Sequence, residues 1–244
     1  MRLAIHSHKQ MSEYFLTAAL LSVSGGLQDV YTYIARGGVF ANAQTGNIIL
    51  LSQSLCTQNW LAVLRYFVPI LFFALGIAVA EEIRQSCRNA QRLHWRQLVL
   101  LIEILLLFCV GFLPEKWNLL ANTMVSFACA MQVQSFRKVN GYVFASTMCI
   151  GNIRSAMESL CIYHRTHDKT VWNKVLLYLS LISLFALGAA LGGHLIERLG
   201  MRTIWISCLL LFISFSLMFL REDLQTKSDA NAPACVKPHR RSFM

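Results

Sequence analysis

The chain has 244 residues, of which 56% are hydrophobic and 14% charged, and its formal net charge is +10. Soluble domains average about 45–50% apolar and about 25% charged residues, so this composition, with a mean hydropathy of +0.50, excludes an ordinary soluble domain and points to lipid. The Lys and Arg excess lies in loops between apolar runs, which excludes a nucleic-acid binder and reads as membrane orientation and contact with anionic headgroups.

Residues 1–13 form a polar tail in which His6 and His8 read as solvated. The tail runs straight into an apolar stretch without a small-residue cleavage pattern, so the first span is expected to be retained. That span covers residues 14–35. Gly25-Gly26 interrupts it, and Asp29, Tyr31 and Tyr33 follow before Arg36 and Gly37-Gly38 mark a turn. A membrane tolerates a broken helix only where the freed backbone faces protein or water. Residues 39–56 are too interrupted for a lipid-exposed span of ~20 apolar residues. They read as a re-entrant or short buried helix broken at Gln44-Thr45-Gly46-Asn47.

A long span follows at 60–80, with Pro69 inside and Glu81-Glu82 at its end. Arg84, Arg88, Arg92 and Arg96 recur every fourth residue, so on a helix they share one face and suit a cytoplasmic headgroup anchor. The next spans are 97–113, which contains Glu103, and 117–136, which ends in Gln132 and Gln134. Pro114-Glu115-Lys116 turns between them. Residues 141–162 repeat the interrupted pattern. Spans at 174–196 and 203–220 close the bundle, the first carrying Gly188-x-x-x-Gly192, a spacing that lets helix backbones approach. The tail from 221 is polar, holds Pro233 and Pro238, and reads as disordered.

Eight cysteines are scattered along the chain without C-x-x-C spacing, and several sit inside apolar runs. They read as small hydrophobes and give neither a disulfide framework nor a metal site. No nucleophile–base motif or phosphate loop appears. The chain is therefore expected not to be an enzyme and to need no cofactor or metal.

Val39 to Ile48 (VFANAQTGNI) resembles Val143 to Ile153 (VFASTMCIGNI), the second with one extra residue. Asp29 precedes Asn47 by the same distance as Gln134 precedes Asn152. Each half, 14–113 and 114–220, then holds one span, one interrupted segment and two further spans. The expected fold is an all-α polytopic transmembrane bundle of six long spans and two short Gly-Asn segments, in two related halves. If the short segments do not cross, each half has an odd number of crossings and the halves are inverted. Both termini and the Arg84–Arg96 loop then face the cytoplasm. If both cross, an inside N-terminus puts that most basic loop outside. Inverted repeats with broken helices near the midplane are a recurring plan of secondary transporters.

The motifs GGLQDVYTY, GGVF and TGN, with the later Gln134 and Gly151-Asn152, resemble the YoaK-like family of small bacterial inner-membrane proteins, a domain of unknown function. The resemblance covers residues 12–220. It implies the fold and an inner-membrane location and carries no activity. Where the family pattern has Gly-x-Gln-Asn and a second Thr-Gly-Asn, this chain has Gln132-Val133-Gln134-Ser135 and Ile150-Gly151-Asn152.

The candidate binding residues are Asp29, Tyr33, Gln44, Thr45, Gly46, Asn47, Gln134, Gly151, Asn152 and Arg154. A central acid costs about 2.5–3.5 kcal/mol on insertion scales, so Asp29 needs protein or water around it and a partner. It coordinates a proton or ion, or it caps a broken helix. Thr45, Gly46 and Asn47 could hold a small solute or cation, or glue two half-helices. Arg154 pairs with Glu158 along one helix or with Asp29 across the halves. Glu103 is a proton site or contacts a polar residue on a neighbouring helix, and His194 reads as a bystander. The expected partners are the lipid bilayer and a small solute or cation, and the expected function is a permease or, alternatively, a non-transporting module that binds a protein or lipid.

Overall fold

The computed structural model describes residues 15–86, 95–139, 142–144 and 146–230, with side chains through residue 218 except at Val139. The 1–13 tail, Arg88, Arg92, Pro233 and Pro238 lie outside the described residues. The described residues are helical almost throughout: α1 (Phe15–Ala35), α2 (Gln44–Cys56), α3 (Trp60–Ser86), α4 (Trp95–Val110), α5 (Asn118–Ser135), α6 (Cys149–Thr166), α7 (Lys169–Leu199) and α8 (Ile204–Ala230). A two-residue ladder, β1 (Lys138–Val139) with β2 (Tyr142–Val143), sets Lys138 opposite Val143 and Val139 opposite Tyr142.

Two stretches are long and apolar enough to cross a membrane, Trp60–Ser86 and Lys169–Met218. The 27 residues of α3 make about 40 Å of helix at ~1.5 Å per residue, more than the ~30 Å of a hydrocarbon core. Pro69 is accommodated inside it. Leu61, Leu64, Ile150, Leu209 and Phe212 are exposed, the expected finish for a bundle whose solvent is lipid. Asp168 caps α7 by accepting the Thr170 N–H at 2.8 Å, and that bond holds its carboxyl below the usual carboxylate range.

Packing follows a simple order. α1 lies along α7, and α5 lies along α3. α2 rests on α3 and α6 on α7. α8 covers α1, α4 covers α5, and α4 meets α8. The main core forms where α1, α4, α5 and α8 come together, from Leu21, Tyr31, Leu100, Leu107, Val125 and Leu211 among others.

Three sequence expectations are corrected here. Gly25-Gly26 does not break the first span, because α1 is continuous from Phe15 to Ala35. The pair is a contact surface: a Cβ on Gly26 would overlap the Phe185 carbonyl, and one on Gly188 would overlap the Val23 carbonyl. Gly192 faces Val30 Cγ1 at 2.6 Å and Leu27 Cγ at 3.2 Å, measured from a Cβ it lacks. Small residues on both helices let the backbones touch.

The second correction concerns the interrupted segments. Gln44 to Asn47 do not break a helix but form the first turn of α2. The break lies before them, where Gly37 (φ +88°) and Gly38 (φ +78°) take a left-handed backbone that only glycine adopts without strain. In the second half the break likewise precedes Cys149, the first residue of α6. At the C-terminus, α8 continues to Ala230, so the first ten residues of the polar tail are helical.

Candidate functional site

Asp29 sits on the buried face of α1, 8% exposed. Its Oδ1 accepts the backbone N–H of Asn42 at 2.7 Å, and the N–H groups of Ala41 and Ala43 also face it. The carboxylate therefore anchors the chain as it enters α2, where the helix presents unpaired donors and positive dipole. Asn42 returns the contact, its Nδ2 donating to the Gly25 carbonyl at 3.3 Å.

Asn47 ties the same entry from inside the helix. Its Oδ1 accepts the Phe40 N–H at 2.9 Å, and its Nδ2 donates to the Phe40 carbonyl at 2.7 Å and to Gln44 Oε1 at 2.9 Å. Gln44 Nε2 donates to the Ala41 carbonyl at 2.8 Å. Gly46 leaves room for the Phe40 ring, which a Cβ would meet at 2.8 Å. Thr45 is exposed. Tyr33 is half exposed and stacks on Phe40, ring centroids 4.7 Å apart.

The second short segment approaches the same place on α1. Thr147 lies against Gly25 so closely that a Cβ there would overlap its Cγ2. Ser146 accepts from Gln132 Nε2 at 3.0 Å, which also reaches the Leu21 carbonyl at 3.4 Å. Helices α2 and α6 pack on different partners, α3 and α7, yet the chain leading into each converges on the stretch Gly25 to Asp29.

The remaining candidates lie elsewhere. Gln134 Nε2 donates to Glu81 Oε2 at 2.8 Å, beside Arg84 at 3.1 Å and Arg137 at 3.7 Å from the same oxygen. Gly151 is exposed with open space around it, and Asn152 is buried with its N–H on the Met148 carbonyl at 3.3 Å. Arg154 pairs with Glu158 at 2.8 Å on an exposed face of α6, so the cross-half pair with Asp29 is not formed. The local spacing of four residues suffices for that pair. Glu103 is fully buried and accepts from Gln28 Nε2 at 3.2 Å, which is the contact with a neighbouring helix expected for it.

Two residues were not singled out from sequence. Arg36 is completely buried. Its guanidinium donates to the carbonyls of Val110 and Leu113, both at 2.8 Å, to Asn118 Oδ1 at 3.2 Å and to Tyr31 Oη at 2.9 Å. It closes the C-terminus of α4, where carbonyls lack partners and a cation suits the dipole. Gln28 occupies the helix crossing and contacts Ser24, Glu103, Ser207 and Cys129. A polar residue beside Asp29 in an apolar span was the available signal for it.

Comparison with known proteins adds the family. No solved structure matches the chain. It is similar to the UPF0700 transmembrane protein YoaK of Bacillus subtilis (strain 168), 22% identical over 203 residues, covering 80% of this chain and 89% of that protein. The relative's transmembrane character and the apolar helices agree on an integral membrane protein. Residues 17–217 match the model of a family described as "Protein of unknown function (DUF1275)", and the chain belongs to that family.

Proposed function

We propose that the protein is a permease for a small solute or ion, built from two inverted halves, with its site where the approaches to α2 and α6 converge on α1. The observation that carries this reading is the convergence itself: Asn42 from one side and Thr147 from the other both contact Gly25, with Asp29 one turn along. Two half-helix N-termini aimed at one buried point is the arrangement transporters use for substrates and coupling ions.

The two-half reading is supported by packing and sequence together. Replacing each of α1–α4 by the helix four places on, and the reverse, exchanges α1·α7 with α5·α3, α2·α3 with α6·α7, and α1·α8 with α5·α4. The sequences follow in one register: SVSGGLQ at Ser22–Gln28 with SFACAMQ at Ser126–Gln132, VFA at 39–41 with VFA at 143–145, and IEILLLF at Ile102–Phe108 with ISCLLLF at Ile206–Phe212. In this register Gln28 corresponds to Gln132 and Asp29 to Val133, which replaces the match of Asp29 with Gln134. Six crossings, with α2 and α6 re-entrant, leave the halves inverted and both termini cytoplasmic in the inner membrane.

A second reading has its own support. Asp29 and Asn47 are both engaged by neighbouring backbone, as befits structural residues of a non-transporting module that binds a protein or lipid. Uptake into proteoliposomes under an imposed proton or sodium gradient separates the two. Gradient-driven flux that Asp29→Asn abolishes supports the permease. No flux for any solute, with a stable co-purifying partner, supports the module.

A further inference from the structure

Beyond the Asp29 region lies a second polar centre, in the core where α1, α4, α5 and α8 meet. Three oxygens converge on the Gln28 amide nitrogen: Ser24 Oγ at 3.0 Å, Ser207 Oγ at 2.9 Å and Glu103 Oε1 at 3.2 Å. A primary amide has two N–H donors, so one oxygen exceeds what it can serve. The Ser24 and Ser207 hydroxyls also contact each other. Cys129 Sγ donates to Gln28 Oε1 at 2.7 Å. Ser24, Gln28, Glu103, Cys129 and Ser207 are all 0% exposed.

The centre lacks positive charge. Glu103 Oε2 is buried without a hydrogen-bond partner, and the ion pairs among the described residues involve Glu81 and Glu158 instead. An acid inside a membrane bundle needs a partner and by default marks an ion or proton pathway. A half-turn of the Gln28 amide would exchange its oxygen and nitrogen. A fourth oxygen would then stand where the other three already point.

We propose that Glu103, Gln28, Ser24 and Ser207 form an occluded site for a monovalent cation, a proton or sodium. Carboxylate, amide and hydroxyl oxygens are the donor set that hard cations take. A proton would sit on Glu103 itself, at the free Oε2. Sodium would take the point where the oxygens converge, which the Gln28 amide nitrogen fills here, so the amide would withdraw and offer its oxygen from the side. In the register of the two halves, Glu103 corresponds to Ser207, so the acid is present once and the site holds a single charge. As the coupling site of a carrier, the centre rests on the permease reading; as a binding site it stands apart from it.

The test reads binding, not flux. Infrared spectra of the full-length protein in nanodiscs, in sodium-free choline buffer, isolate the glutamate carboxyl bands by 13C-glutamate labelling, and the band lost in Glu103→Gln belongs to Glu103. A band that titrates reversibly with pH identifies a proton site. A band that shifts on adding NaCl, and less so at lower pH, identifies sodium in competition with protons. Ser207→Ala, which keeps the acid, should weaken the sodium response about tenfold, the loss of one ligand. If Glu103→Gln does not fold, Ser207→Ala identifies the band in its place, as the glutamate band whose response it weakens. A Glu103 band insensitive to both pH and sodium, or a sodium response untouched by Ser207→Ala, would overturn the proposal. Binding without flux would sink only the permease, and flux with an inert Glu103 only this site.

Discussion

Gly26 of α1 lies directly against the Phe185 carbonyl of α7, leaving no room for a side chain. Gly188 of α7 lies in the same way against the Val23 carbonyl of α1. Backbone is the obstacle in both cases, so neither site can yield by rotating a side chain. Gly26→Val or Gly188→Val should therefore force the helices apart and lower stability by about 1–3 kcal/mol or more, the usual range for overpacking. Gly193, where an added Cβ would have its nearest neighbour 3.8 Å away, should accept alanine with little loss. Thermal unfolding in detergent would rank the three.

Arg36 offers a second test, because the four partners described for it are uncharged oxygens. Arg36→Met keeps the stem but strands the Leu113 carbonyl and leaves the Val110 carbonyl with only the Leu113 N–H. Hydrogen bonds to a charged group contribute about 1.5–3 kcal/mol, and the loss should fall in or above that range. Arg36→Lys should recover only part of it, since an ammonium cannot reproduce the planar fork. The same unfolding measurement decides, and an unchanged Arg36→Met midpoint would show that the network contributes nothing.

Much of this fold could be read from composition and hydropathy. The helices at 15–35, 60–86 and 118–135 lie close to the expected spans, and Gly188-x-x-x-Gly192 performs the close approach its spacing implies. The glycine pair in α1 was harder, because Gly-Gly signals a helix break and a tight interface equally well. What decides is the partner helix, which hydropathy does not identify. The candidate site was legible at Asp29 and Asn47 as residues, but not in their use. Their hydrogen bonds go to the backbone at residues 40–43, a loop whose path depends on left-handed turns at Gly37 and Gly38. Arg36 was hidden for a similar reason. A basic residue before Gly-Gly resembles a solvated turn until the end of α4 is brought to it.

Asp29 can be tested for its structural role without any transport assay. Asp29→Leu removes the acceptor for the Asn42 N–H and leaves buried donors unpaired, at a cost of about 1–3 kcal/mol. Asp29→Asn keeps one carbonyl oxygen in place and should lose no more than about 1.5 kcal/mol. Comparing the two by unfolding, alongside flux in Asp29→Asn, separates a carboxylate needed for its charge from one needed as a hook.

Arg154 and Glu158 call for the opposite expectation. Their side chains are 80% and 59% exposed, and exposed i,i+4 pairs contribute about 0.3–0.5 kcal/mol. Arg154→Ala should leave the unfolding midpoint nearly unchanged. Reversing charge at Asp29 and Arg154 together should rescue nothing, because the two residues do not pair. Restored function in that double variant would reinstate the cross-half contact.

The convergence of the second segment on α1 rests on Gly25 and Thr147, and a double-mutant cycle examines it directly. A Cβ at Gly25 meets Thr147 Cγ2, the tip of a side chain and not backbone. Gly25→Ala alone should destabilise the protein. Thr147→Ser, which deletes that methyl, should restore much of the loss when combined with it. The coupling should lie within the 0.5–3 kcal/mol found for residues in contact. At Gly26 the obstacle is the Phe185 backbone, so Phe185→Ala should not rescue Gly26→Ala. If Gly25→Ala and Thr147→Ser are simply additive in thermal unfolding, the approach to α6 does not touch α1, and the proposed site loses one of its two walls.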